Sequence, residues 1–261
     1  MKTKFNAFPV ILVTMAILLL ITSQTGLIEN VIKDVKTTRQ DIKDITNKII
    51  EVNRQEKVDE QDTLVPEYSG EQTLTLNDNI PFFTNEELLK AYDENNNITS
   101  FIELNDLDSL GRAQSALMCA GPETLADEDR GDISSIHPSG WKQAKYEFIN
   151  GKYLYNRCHL LAHCLSELNA EERNLITCTR QTNASEMLDY ELSVVEYIEE
   201  TGNHVLYRVT PCYDGDNLLA SGILMEAMSL EEAGLEFCVY IYNVQDGVNI
   251  DYSTGLSSPL N

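Results

Sequence analysis

Between Phe5 and Thr22 the chain carries no charged residue. Eighteen residues of helix rise about 27 Å, close to the roughly 30 Å hydrocarbon thickness of a bilayer. Lys2 and Lys4 precede the run, and positive charge favours the cytoplasmic side. Everything that follows is therefore expected outside the cell. Residues 1–23 read as a membrane anchor or a signal segment. Ser23-Gln24-Thr25 is a poor substitute for the small-residue site that a peptidase needs. The protein is expected at the cell membrane with an extracellular domain, or secreted if the segment is removed.

The next stretch, residues 24–60, repeats apolar residues at Ile28, Ile32, Val35, Ile42, Ile45, Ile49 and Val52. Spacings that alternate between three and four are the period of a coiled-coil seam. A helical stalk is expected there, with self-association into a homo-oligomer. Residues 61–79 are polar, hold Pro66 and Gly70, and read as a linker running into a first short strand. Residues 80–261 are globular in composition. Thr84 followed by Glu87 fits a capping box that opens a short helix. Asn150-Gly151 marks a hairpin between a strand near Lys142–Phe148 and one from Lys152. A helix follows, with Met187, Leu188, Leu192, Val195 and Ile198 on one stripe and Gly202 as its stop. Three β-rich runs complete the chain. The fold class is α+β with a mainly antiparallel sheet.

The net charge of -23 argues against coating of nucleic acid, which acidic proteins repel at long range. The segment from Gly140 to Asn183 differs, with six Lys/Arg against four Glu. All six cysteines lie from residue 119 onward: Cys119, Cys158, Cys164, Cys178, Cys212 and Cys238. An exported chain permits disulfides, but six cysteines allow 15 pairings.

Cys158, His159, His163 and Cys164 crowd into seven residues. All are zinc ligands, yet adjacent ligands on one element point apart, which makes a single tetrahedron awkward. A different pattern includes the residues that follow. Arg157 and His159 end a strand, Asn174 sits in a loop, and Asn183 and Glu191 enter a helix. A phosphodiester anion resists attack, so a site must generate a nucleophile and absorb charge. Neutral imidazole takes a proton from water near pH 7. Mg²⁺ keeps several waters and needs only one or two protein oxygens. One Asn carbonyl and a Glu acting through water would suffice.

The strings "LDSLGR", "PSGW", "GKYLYNRCHL", "NLIT", "GNHVLYRVTP" and "IDYSTG" resemble the secreted DNA/RNA non-specific endonucleases of the streptococcal DNase type. The resemblance implies a ββα-metal finger on the sheet and sequence-blind hydrolysis of DNA, with RNA as a further substrate. It implies His159 as general base, Asn183 as the direct ligand of Mg²⁺ (Mn²⁺ as substitute), and Asn174 and Glu191 as residues that orient the site or bind metal through water. Arg157 matches the arginine of the family's Asp-Arg-Gly-His signature, as a phosphate contact or a support of the loop. Asn156 and Cys158 depart from that signature. Two other readings compete: a surface-displayed binding domain without activity, and a zinc-stapled structural domain.

Overall fold

The computed structural model describes residues 68–260. The anchor, the stalk and most of the linker's first half lie outside the described residues. Among those described, no helix is long and apolar enough to cross a membrane.

The strands, in chain order, are β1 (Thr73–Thr75), β2 (Phe101–Leu104), β3 (Ala116–Ala120), β4 (Tyr155–His159), β5 (Leu175–Thr179), β6 (Val205–Cys212), β7 (Gly222–Ser229), β8 (Glu236–Tyr242), β9 (Val248–Ile250) and β10 (Ser257–Pro259). The helices are α1 (Asn85–Lys90), α2 (His163–Ser166) and α3 (Leu188–Thr201). Six strands form one sheet in the order β1-β8-β7-β6-β3-β2, with every neighbour antiparallel. Successive side chains on a strand point to opposite faces, and the long strands bury side chains on both. Val205, Tyr207 and Val209 join Met118, Met225 and Val239 in the main core, together with Val194 and Ile198 of α3. Leu117 and Leu206 face the other way, onto Phe83. The sheet is thus the middle layer of the domain.

Helix α1 begins as expected. The Thr84 side chain accepts from the Glu87 amide, and the Glu87 carboxylate accepts from the Thr84 amide, satisfying two orphan donors of the first turn. Glu87 also pairs with Arg208 at 2.6 Å, and Arg208 grips the fully buried Glu226 through two nitrogens at 2.7 and 2.9 Å. Arg208 and Glu226 are direct partners across β6 and β7. A charge so buried is tolerated because it is paired and hydrogen-bonded.

β4 and β5 form a separate antiparallel pair, with His159 opposite Leu175 and Tyr155 opposite Thr179. The outer edge of β5 is closed by the buried Asn243, whose amide accepts from Thr179 N and donates to Thr177 O. A π-helical turn (Thr182–Met187) leads into α3, which ends at Gly202 in the left-handed region. Strand, strand and helix follow one another as the finger pattern requires, but the strands are not those expected. The stretch 142–148 reduces to one bridge, Lys145 with Tyr153. Gly151 and Lys152 both take positive φ, and Lys152 N bonds Ile149 O, so the chain turns without extending into a ladder. The helix stripe is met in part: Met187, Val195 and Ile198 pack on the core with Val194, whereas Leu188 and Leu192 are exposed.

Cys158 and Cys178 form a disulfide diagonally across β4 and β5. The other four cysteines are free thiols. Cys158 faces the core, which accommodates a side chain where the family signature has none. The bond removes one ligand of the zinc alternative, and among the described residues no group of three or more His, Cys, Asp or Glu could hold a metal ion. The disulfide closes a loop of 20 residues that contains His159 and Asn174. Loop-closure entropy sets its stabilisation at about 3 kcal/mol. The double variant Cys158→Ala/Cys178→Ala should therefore unfold at a lower urea midpoint. An unchanged midpoint would show that the bond adds nothing to the folded state.

Candidate active site

His159 ends β4 and is only 7% exposed. Its Nε2 lies 3.1 Å from the carbonyl oxygen of Asn169. A carbonyl only accepts, so Nε2 carries the proton and donates it. In a neutral ring the lone pair then belongs to Nδ1. Burial pushes the His159 pKa down to about 4, and the charges of Arg130 and His163 push the same way, against the Asn169 hydrogen bond. The ring is thus neutral at pH 7, with one fixed tautomer and one basic nitrogen.

The turn after His159 is fixed by Asn174, which is completely buried. Its Oδ1 accepts from Leu161 N and its Nδ2 donates to Leu161 O, both at 2.9 Å, while its own carbonyl accepts from Leu160 N. Both ends of the amide are engaged, so Asn174 orients the backbone that carries His159.

Arg157 shares a face of β4 with His159 and is tied to the preceding loop. Its Nε donates to Ile136 O, its second terminal nitrogen donates to Ser134 O at 2.7 Å, and its guanidinium stacks 4.2 Å above the Trp141 ring. These contacts hold the 130–141 loop against the finger.

Beside this loop is a cleft of about 420 Å³, lined by Arg130, Trp141, Tyr153, Arg157, Arg180 and Asn183 among others, with no acidic residue in its wall. Asn183 reaches it from the π-helical turn. His159 itself is not in the cleft wall; Arg130, which is, adds its charge to the surroundings of the ring. Glu191 is absent from the cleft wall. It sits on the inner face of α3, in line with Met187, Val194 and Ile198, where its charge acts on Cys164 and Tyr207. Burial alone pushes its pKa up to about 7. A half-buried carboxyl on an apolar stripe is costly to ionise, and it has no hydrogen bond or ion pair among the described residues.

Two residues of this region carry no sequence signal for their place. Asn169 acts through a backbone carbonyl, which every residue has. Arg130 lies in the acidic run "ADEDRGD", which reads as a solvated loop.

A family model described as DNA/RNA non-specific endonuclease matches residues 94–230, more than half of the chain. This chain belongs to the DNA/RNA non-specific endonuclease family. The match includes β4, β5, α3 and every site residue named above. Solved structures share the fold of this endonuclease. NucA from Streptococcus agalactiae, with magnesium ion bound, is 23% identical with a TM-score of 0.57, over 63% of this chain and 81% of that one. The Sda1 nuclease, with bound zinc ion, is 24% identical with a TM-score of 0.53, over 62% and 81%. An extracellular endonuclease is 19% identical with a TM-score of 0.51, over 74% and 100%.

Proposed function

We propose that this endonuclease cleaves DNA, and RNA as a second substrate, without regard to sequence, by attack of water on the phosphodiester. The observation that carries the reading is the His159 ring, neutral, with Nε2–H held by Asn169 and Nδ1 left as the base. Nδ1 takes the proton of the attacking water. The Asn169 carbonyl holds the ring and stabilises the imidazolium as it forms. Asn174 keeps the turn behind the ring rigid, and Arg157 anchors the loop that frames the cleft.

A divalent metal fits the donor set. The Asn183 amide has no hydrogen bond among the described residues, and neither has the Glu191 carboxyl. Both offer hard oxygen, which suits Mg²⁺ or Mn²⁺ held by one or two protein groups and water. Asn183 is the direct ligand in this reading, and Glu191 acts through water. When bound, the ion would neutralise charge on the phosphate and on the leaving oxygen. NucA with magnesium and Sda1 with zinc support a divalent ion.

The reading places the reaction outside the cell. Its support is the uncharged run behind Lys2 and Lys4, the disulfide, which persists in oxidising surroundings, and the extracellular endonuclease of like fold. The heptad pattern of residues 24–60 supports a self-associating stalk on a membrane anchor.

Plasmid digestion by the exported part, with and without Mg²⁺, tests the function. Metal-dependent nicking is expected. A folded protein that leaves DNA intact with either Mg²⁺ or Mn²⁺ would favour the binding-domain reading. The acid limb of kcat/KM gives a second test. A base with its pKa near 4 stays unprotonated at pH 6, so activity should persist to about pH 5 and fall towards pH 4. A limb centred near 6.5 would contradict the buried neutral ring. Stability follows the same group. Between about pH 6.5 and 4 the unfolded chain binds a proton that the folded chain does not, so stability is full above this window and declines as pH falls through it.

A further inference from the structure

Three aromatics flank the cleft region in sequence, and the structure separates them. Trp141 and Tyr146 pack against the second core, with Leu154, Tyr155 and Leu219. Tyr153 belongs to none of the core clusters, lines the cleft and is 47% exposed. Lys145 stands 4.5 Å from its ring centroid, which puts a cationic atom over a half-exposed ring. An exposed aromatic with no core to fill is not accounted for by folding.

The arginines of the cleft separate in the same way. Arg157 is engaged by Ser134, Ile136 and Trp141. Arg180 has no side-chain hydrogen bond or ion pair among the described residues, in a chain whose net charge is -23. Its guanidinium lies over the backbone of Gly151, 3.3 Å from the point where a Cβ would sit. Gly151 both takes the positive φ of the turn and leaves that space open. Arg180 also stands where the finger strand passes into helix, at an end whose dipole disfavours cations. Three residues later Asn183 enters the same cleft, on the same side of the turn. An unpaired cation at this end is unfavourable until an anion arrives.

We infer that Arg180 and Tyr153 form a nucleotide subsite next to Asn183, in which Arg180 binds the phosphate adjoining the scissile one and Tyr153 stacks the base. This rests on the nuclease reading and extends it. The phosphate grip belongs to Arg180, while the signature arginine, Arg157, holds the loop. Stacking needs a base out of its duplex, so the subsite takes a single strand or a locally opened one.

The test is binding of a fluorescein-labelled oligothymidylate, read by anisotropy in EDTA so that no cleavage intervenes. Arg180→Gln should weaken binding about tenfold and reduce the slope of log K against log salt by about 0.7, one single-strand phosphate contact. Tyr153→Leu should weaken it about tenfold, and Tyr153→Phe, which keeps the ring, should restore wild-type affinity. Circular dichroism melts establish that each variant folds. Wild-type affinity and salt slope in Arg180→Gln would overturn the phosphate assignment. Equal losses in Tyr153→Phe and Tyr153→Leu would overturn stacking. A wild-type protein that binds in this way but never cleaves with Mg²⁺ would leave the subsite standing and remove the catalytic reading instead.

Discussion

Replacing His159 with alanine should lower the rate of DNA cleavage about 10²- to 10⁴-fold while leaving the fold in place. That range is what a positioned general base contributes. The ring is the one imidazole in the finger whose tautomer is fixed by a carbonyl, Asn169 O. The cost to folding should be small beside the cost to catalysis. Among the described residues the ring's only hydrogen bond is to that carbonyl, and β4 remains paired with β5 through five residue pairs and the disulfide. Nicking of supercoiled plasmid measures the loss, and far-UV circular dichroism checks the fold. A variant that digests DNA at the wild-type rate, free of contaminating nuclease, would remove His159 from the mechanism.

Metal removal has the second large effect. Excess EDTA should stop cleavage, and Mg²⁺ or Mn²⁺ should restore it. Asn183→Ala should lower kcat about 10²- to 10³-fold, since the charge stabilisation supplied by a bound ion amounts to several kcal/mol. It should also raise the Mg²⁺ concentration needed for half-maximal rate. Glu191→Gln should act on that concentration more weakly, because Glu191 stands off the cleft wall and is proposed to reach the ion through water. Undiminished turnover in EDTA would exclude the mechanism. An Asn183→Ala protein with wild-type metal dependence would move the ligand role to another oxygen.

The fold was legible where the signal is local. The Thr84–Glu87 box depends on four consecutive residues, and the stop at Gly202 on one. The three late strands announced themselves by apolar runs between turn residues. The finger's own strands were harder. Asn150-Gly151 is a strong turn signal, but the residues before it pair only at Lys145. β4 instead pairs with β5 across the intervening 160–174 segment, and a non-local partner leaves no trace in a periodicity. The helix stripe holds at Met187, Val195 and Ile198 and misses at Leu188 and Leu192, which are apolar yet exposed. Of the proposed site residues, His159 stands out through its chemistry, and Asn183 enters through the family resemblance. Glu191 enters the same helix as Asn183, yet it lies half-buried in line with Met187, Val194 and Ile198, away from the cleft wall. Asn169 had no signal, since its contribution is a peptide oxygen.

The state of one ring decides the account, and long-range ¹H–¹⁵N correlation on protein labelled at histidine reads it directly. At pH 6 the His159 signals should show Nε2 protonated and Nδ1 bare, with conversion to imidazolium only as the pH approaches 4. An imidazolium already formed at pH 6, or a proton on Nδ1 with Nε2 bare, would contradict it.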